Sequence, residues 1–232
     1  MKYGGPLLSS PSWGPTNEKL ALSVDGNLCI VNLNGDSLTP LTYSGQDFGC
    51  SWSNDGKTIA YTKTICDPDC GIEALDLSSH ISRLVAQYGG SASWSPNSKT
   101  IYYYHNVFLA KPDPYPAEYA GFVLARIDIT TFKIDSLFFV ANPNLRFEDC
   151  AVSPDEQEIL FSAAEAGPHS NIWKIDLSSH QMSQLTESGG QSPSYSPDGS
   201  TIVYSNTYIS EGGLWRMDRN GANKKRLTTL RR

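Results

Sequence analysis

The sequence predicts an all-β propeller of five four-stranded blades, and three observations carry that prediction. A short turn of the Ser-Pro-Asp-Gly kind recurs five times, an alternating apolar pair follows each turn, and three of the four spacings between copies lie near 40 residues. The turns are Gly14-Pro15-Thr16-Asn17, Ser53-Asn54-Asp55-Gly56, Ser95-Pro96-Asn97-Ser98, Ser153-Pro154-Asp155-Glu156 and Ser196-Pro197-Asp198-Gly199. Each follows an aromatic or branched anchor (Trp13, Trp52, Trp94, Val152, Tyr195), and the anchors lie 39, 42, 58 and 43 residues apart. A period near 40 built from short strands is that of a propeller blade.

The first strand of each repeat carries the anchor and stops at the turn, where proline fixes φ and Asp or Asn bends the chain through its own side chain. The second strand alternates with period two, as a strand with a buried face does: Leu20/Leu22, Ile59/Tyr61, Ile101/Tyr103, Ile159/Phe161 and Ile202/Tyr204. The third ends at a polar residue, Asn32, Asp76, Asp128, Asp176 or Asp218, behind an apolar one. Asn34-Gly35 and Asn220-Gly221 are hairpin signals, because both residues tolerate positive φ. The fourth strand carries Leu41, Leu84, Leu137, Leu185 or Leu227. The predicted blades are 9–43, 48–86, 90–138, 148–187 and 191–230, in one domain spanning 1–232.

These repeats resemble the PD40 or TolB-like propeller family, a relative of WD40 repeats. The residues that carry the likeness are Ser-Pro-Asp-Gly, the Ile-x-Tyr/Phe pair, Ile172 to Asp176, and the closing Leu185-Thr186 and Leu227-Thr228. The likeness covers nearly the whole chain. It implies a binding scaffold or the propeller half of a peptidase, since one fold hosts many functions. TolB is expected to have six blades behind an α/β domain, whereas five repeats stand here with about ten residues ahead of them. Each repeat is complete in sequence order, so the expectation is closure by side-chain packing, or a piece of a larger ring.

The net charge of −6 offers no broad basic field for nucleic acid or anionic lipid. No run approaches the ~20 apolar residues of a membrane span, and the start Met1-Lys2-Tyr3-Gly4 is not a signal peptide. Lys224, Lys225, Arg226, Arg231 and Arg232 read as a solvated basic end. Cys66 and Cys70 bracket a loop and are placed for a local disulfide in an oxidising compartment. With the resemblance, that pair implies a periplasmic or extracellular location. Cys50 and Cys150 occupy one position in two repeats and read as small buried residues.

No catalytic residue, metal site or cofactor is expected. The repeated Leu77–His80 and Leu177–His180 read as duplicated outer turns rather than a metal site, and Asp55, Asp155 and Asp198 as turn formers. Gly89-Gly90-Ser91-Ala92-Ser93 lacks the closing glycine of a hydrolase elbow. A propeller glycosidase or polysaccharide lyase would need paired carboxylates on inner strands, where Asp47, Glu148 and Asp149 are the supply. The third repeat carries the one large insertion, a loop from His105 to about Ala120 with three prolines, and long loops on rigid scaffolds carry binding. The predicted binding residues are Tyr104, His105, Lys111, Tyr115 and Tyr119. The expected function is non-enzymatic capture of a protein, or in second place a glycan, on a loop face or the channel mouth.

Overall fold

A computed structural model describes residues 8–64, 70–110, 117–165, 169–206 and 212–228. These contain strands and turns but no helix, so no helix is long and apolar enough to cross a membrane. Twenty strands form five four-stranded antiparallel sheets, the blades of a β-propeller. Blade one holds β1–β4 (Leu8–Trp13, Lys19–Val24, Asn27–Asn32, Thr39–Pro40). Blade two holds β5–β8 (Asp47–Trp52, Thr58–Lys63, Gly71–Asp76, Ile81–Gln87). Blade three holds β9–β12 (Gly89–Trp94, Thr100–Leu109, Glu118–Asp128, Ile134–Val140). Blade four holds β13–β16 (Leu145–Val152, Glu158–Glu165, Ser170–Asp176, Met182–Gln184), and blade five β17–β20 (Gln191–Tyr195, Thr201–Asn206, Gly213–Asp218, Lys225–Arg226). The chain divides into two compact units, Met1–Tyr103 with Ile127–Ile134, and Tyr104–Arg126 with Asp135–Arg232.

The turn chemistry is the same in four blades. The first serine of each turn is spent twice: Ser53, Ser95, Ser153 and Ser196 donate Oγ–H to Asp55, Asn97, Asp155 and Asp198. The same oxygens accept the N–H of Thr58, Thr100, Glu158 and Thr201, which starts the second strand. In blade one this serine is Gly14, and a Cβ there would stand 3.1 Å from the Trp52 ring of the next blade. A second shared device closes the third and fourth strands. The hydroxyls of Thr42, Thr186 and Thr228 accept the N–H of Leu28, Ile172 and Leu214, each at 2.9 Å. The closing Leu-Thr pairs are therefore hydrogen-bonding devices that extend a fourth strand only two or three residues long.

The second strands of blades two to five bury the expected pair, Ile59, Ile101, Ile159 and Ile202 with Tyr61, Tyr103, Phe161 and Tyr204, but only β18 alternates. In blades two to four the residues between, Ala60, Tyr102 and Leu160, are buried as well, because both faces of those strands are covered. Blade one differs. Leu20 and Leu22 are half-buried, while Ala21 and Ser23 are buried. Ala21 packs with Leu28, Cys50, Ile59, Tyr61 and Leu75 of blades one and two, and Ser23 donates Oγ–H to the Asp47 carbonyl at 2.7 Å. Ala21 and Ser23 are thus the residues of β2 that meet blade two. In the second unit the matching core is Leu160, Ile172, Leu185, Ile202, Tyr204 and Met217, between blades four and five.

The insertion of the third repeat is largely not a loop. β10 runs on to Leu109 and β11 begins at Glu118, because His105-Asn106-Val107-Phe108-Leu109 keeps the β-branched and aromatic content of a strand. The repeated Asp76 and Asp176 turns are identical in detail. Each Oδ1 accepts from the N–H and Oγ–H of the two following serines, and His80 and His180 close the turn at φ 57° and 59°. Those bonds hold both carboxyls well below the usual carboxylate range.

Candidate functional site

The extended β10–β11 hairpin, here called the arm, is braced at its base by aromatic packing within the second unit. Tyr104 lies against Phe147 with ring centres 4.3 Å apart. Phe122 meets Phe147 at 4.6 Å, and Phe147 stacks on Phe161 at 4.7 Å and 7°. On the other strand of the arm, the Tyr119 hydroxyl donates to the Leu145 carbonyl at 2.8 Å, and the Arg146 guanidinium sits 5.9 Å over the Tyr119 ring. Phe108 meets Tyr119 edge-on at 5.7 Å. Burial pushes the phenols of Tyr104 and Tyr119 up and the His105 imidazole down, so all three are neutral near pH 7.

Of the five residues the sequence singles out, Tyr104, His105 and Tyr119 therefore lie at the base of the arm. The structure brings Tyr104 and Tyr119 onto neighbouring residues of β13, and the buried His105 Nε2 has no partner among the described residues. Lys111 and Tyr115 lie outside the described residues. Sequence reasoning passed over Phe108 and Leu109, which are 56% and 59% exposed at the far end of β10. Their signal was an apolar pair inside the insertion, just ahead of Lys111-Pro112.

The inner-strand carboxylates are engaged with hydroxyls. Glu148 Oε2 accepts from Ser170 at 2.7 Å and Gln191 at 3.4 Å. Asp149 Oδ2 accepts from Ser162 Oγ at 2.9 Å and from the N–H and Oγ–H of Ser192 at 3.2 and 3.3 Å. The first strands bulge at a shared position, where Ser10, Gly49, Ser91 and Ser192 take φ of 50–60°, and in blade four Asp149 occupies it without positive φ. Its carboxylate instead tethers the bulge of blade five. Among the described residues no group of His, Cys, Asp and Glu could hold a metal ion.

Cys50 is buried and free, donates Sγ–H to the Ser10 carbonyl at 3.0 Å, and is pushed up to about 12 chiefly by burial. Cys29 and Cys150 are also outside any disulfide, whereas Cys70 is disulfide-bonded. Cys66 lies outside the described residues.

No protein-family model matches the sequence. Among solved structures, a TolB candidate from Agrobacterium tumefaciens superposes with a TM-score of 0.75 at 21% identity, over 95% of this chain and 80% of that one. TolB from Acinetobacter baumannii gives 0.68 at 18% identity, over 96% of this chain and 52% of that one. A gluconolactonase from Xanthomonas campestris gives 0.70 at 15% identity, over 94% and 74%. The shared feature of these proteins is architecture rather than a common activity, and the chain has a TolB-like β-propeller fold.

Proposed function

We propose that the protein is a non-enzymatic propeller scaffold that captures a protein partner through the arm of blade three. One observation carries this reading: Phe108 and Leu109 stand exposed at the end of an arm whose base is fixed by aromatic stacking and the Tyr119–Leu145 bond. Exposed apolar side chains on a rigid support make good anchors, because little ordering entropy is lost on binding. The engagement of Glu148 and Asp149 with serines supports a scaffold over a hydrolase. The enzymatic alternative, a propeller glycosidase or lyase, keeps the support of a likeness in fold to an oligogalacturonate lyase.

The test is the double variant Phe108→Ser/Leu109→Ser, which leaves Tyr104 and Tyr119 in place. Its stability should stay within about 0.5 kcal/mol of the parent, as exposed substitutions usually do. A partner captured by the parent from envelope extracts of the native organism should be lost. Retention of the same partner by the variant would move the site off the arm.

We also assign the protein to an exported, oxidising compartment, supported by the disulfide-bonded Cys70. Mass spectrometry of non-reduced protein from the native compartment should give Cys70 in a local cross-link with Cys66. Recovery of both as free thiols would overturn the assignment.

A further inference from the structure

Blades two and five carry the same tyrosine in two different settings. In blade two the buried Tyr61 hydroxyl bonds to the Glu73 carboxylate, directly across the β6–β7 ladder, and contacts Ser82 Oγ at 2.9 Å. Lys63 lies 3.5 Å from the same carboxylate, so the set is satisfied internally. In blade five Tyr204 takes the place of Tyr61, and the residue across the ladder is Trp215. Ser82 stands opposite Leu75, and the β19–β20 register continued by one step sets Lys224 opposite Met217 in the same place. The satisfied Tyr-Glu-Ser set has become Tyr-Trp-Lys.

Those three residues line one cavity of about 520 Å³ between blades four and five, with Leu185 and Asn206 beside them and Glu187 exposed at its mouth. Volumes of this order suit small organic ligands. Its walls carry both donors and acceptors, among them Gln184, Thr186, Ser188 and Asn206, and the donors left without an internal acceptor among the described residues belong to Tyr204, Trp215 and Lys224. The Tyr204 hydroxyl makes no hydrogen bond within the described residues, and the Trp215 Nε1–H is buried without a partner. Lys224 gives one of its three ammonium protons to the Gly221 carbonyl at 2.6 Å. Burial raises the Tyr204 phenol, which therefore stays protonated and able to donate.

The surroundings add charge of one sign. Residues 212–228 hold five cations, Arg216, Arg219, Lys224, Lys225 and Arg226, against the single carboxylate Asp218, in a chain whose net charge is −6. Arg219 is neutralised by Asp155 and Glu158, and the rest leave a local positive field. The basic end of the sequence is thus partly the wall of a cavity.

We infer that this cavity is a ligand site for a small organic carboxylate, its acid group held by Lys224 and Tyr204 and its apolar body against Trp215 and Leu185. A buried indole N–H without an acceptor, beside an ammonium and a protonated phenol, favours an anionic acceptor over a neutral one. Glu187 sits in solvent at the mouth, where its repulsion is screened. The site is independent of the arm.

The full chain is titrated with phenylacetate and, in parallel, with phenylacetamide, reading the Trp215 indole N–H by NMR after assignment with Trp215→Phe. Phenylacetate should shift that resonance saturably, and the amide should bind about tenfold more weakly or worse. Lys224→Met should weaken phenylacetate about tenfold while leaving the amide unchanged. Tyr204→Phe should weaken it roughly threefold to tenfold with no fall in Tm, since the hydroxyl has no internal partner, whereas Tyr61→Phe should lower Tm. A third arm uses an acetylated dipeptide ending in a free phenylalanine carboxylate. Tighter binding than phenylacetate identifies a peptide end as the source, and weaker binding identifies a free acid. No saturable shift with any probe, equal affinity for acid and amide, or an unaffected Lys224→Met variant would overturn the assignment.

Discussion

Phe161→Ala is expected to lower stability by about 3–5 kcal/mol, the range for removing a fully enclosed aromatic ring. Phe161 is completely buried on β14 and joins three other rings: Phe147 stacked at 4.7 Å, Phe122 at 5.9 Å and Trp173 at 6.4 Å. Deletion loses the transfer energy of the ring and leaves a void that rigid neighbours fill poorly. For a chain of this size the thermal transition should fall by roughly 10 °C. Phe161→Leu keeps most of the volume and should cost about 1.5 kcal/mol. Urea unfolding of the three proteins, with comparable slopes, is the measurement. A loss below about 1 kcal/mol for the alanine variant would mean that the stack contributes little. The same cluster braces the arm through Tyr104 and Phe122, so the alanine variant should also expose Tyr119 to solvent, read as faster exchange at the Leu145 edge.

Arg219→Ala should cost about 2 kcal/mol, for reasons that fix both its size and its pH dependence. Arg219 reaches from blade five to blade four. Its Nη1 and Nη2 bond to the two oxygens of Asp155 at 2.7 and 3.0 Å, its Nε bonds to Glu158 at 2.8 Å, and its guanidinium lies 5.7 Å over Tyr195. The loss stays moderate because Glu158 keeps Lys174 at 2.8 Å and the Tyr195 hydroxyl at 3.2 Å, so no buried charge is orphaned. Asp155 is half exposed, and its share should weaken with salt. Arg219→Lys should recover less than half of the loss, because an ammonium cannot make the bidentate fork.

The Arg219 bond chiefly holds the Asp155 carboxyl far below the ordinary range. Glu158 is lowered by Lys174 and Arg219 against the opposing effect of its own burial. A depressed folded value gives stability that is fully present above the unfolded pKa, about 4 for these groups, and is lost as pH falls through the folded value. The parent should therefore lose stability steeply below about pH 4, and Arg219→Ala should lose less over the same interval. Parallel acid slopes for the two proteins would remove the clamp as the cause.

The blade count, the strand order and the turns were legible in the sequence because they are decided within a few residues. Ser153 and Asp155 bond to each other two positions apart, and period-two alternation selects the buried side of β18 wherever the strand ends up. The repeated Asp76 and Asp176 turns were legible for the same reason. Three features were decided by tertiary structure. Blade one buries Ala21 and Ser23 rather than Leu20 and Leu22, because Ala21 and Ser23 are the residues that meet blade two. The insertion became an arm because its strands gained support from Phe147 and Leu145, residues from the next repeat. Arg219 and Glu158 are 61 positions apart, and Trp215, Lys224 and Leu185 meet at one cavity only after two blades have packed. Local hydrogen bonding and periodicity determine a blade, whereas the contacts between blades depend on which side chains of different repeats are brought together, and no single repeat encodes that pairing.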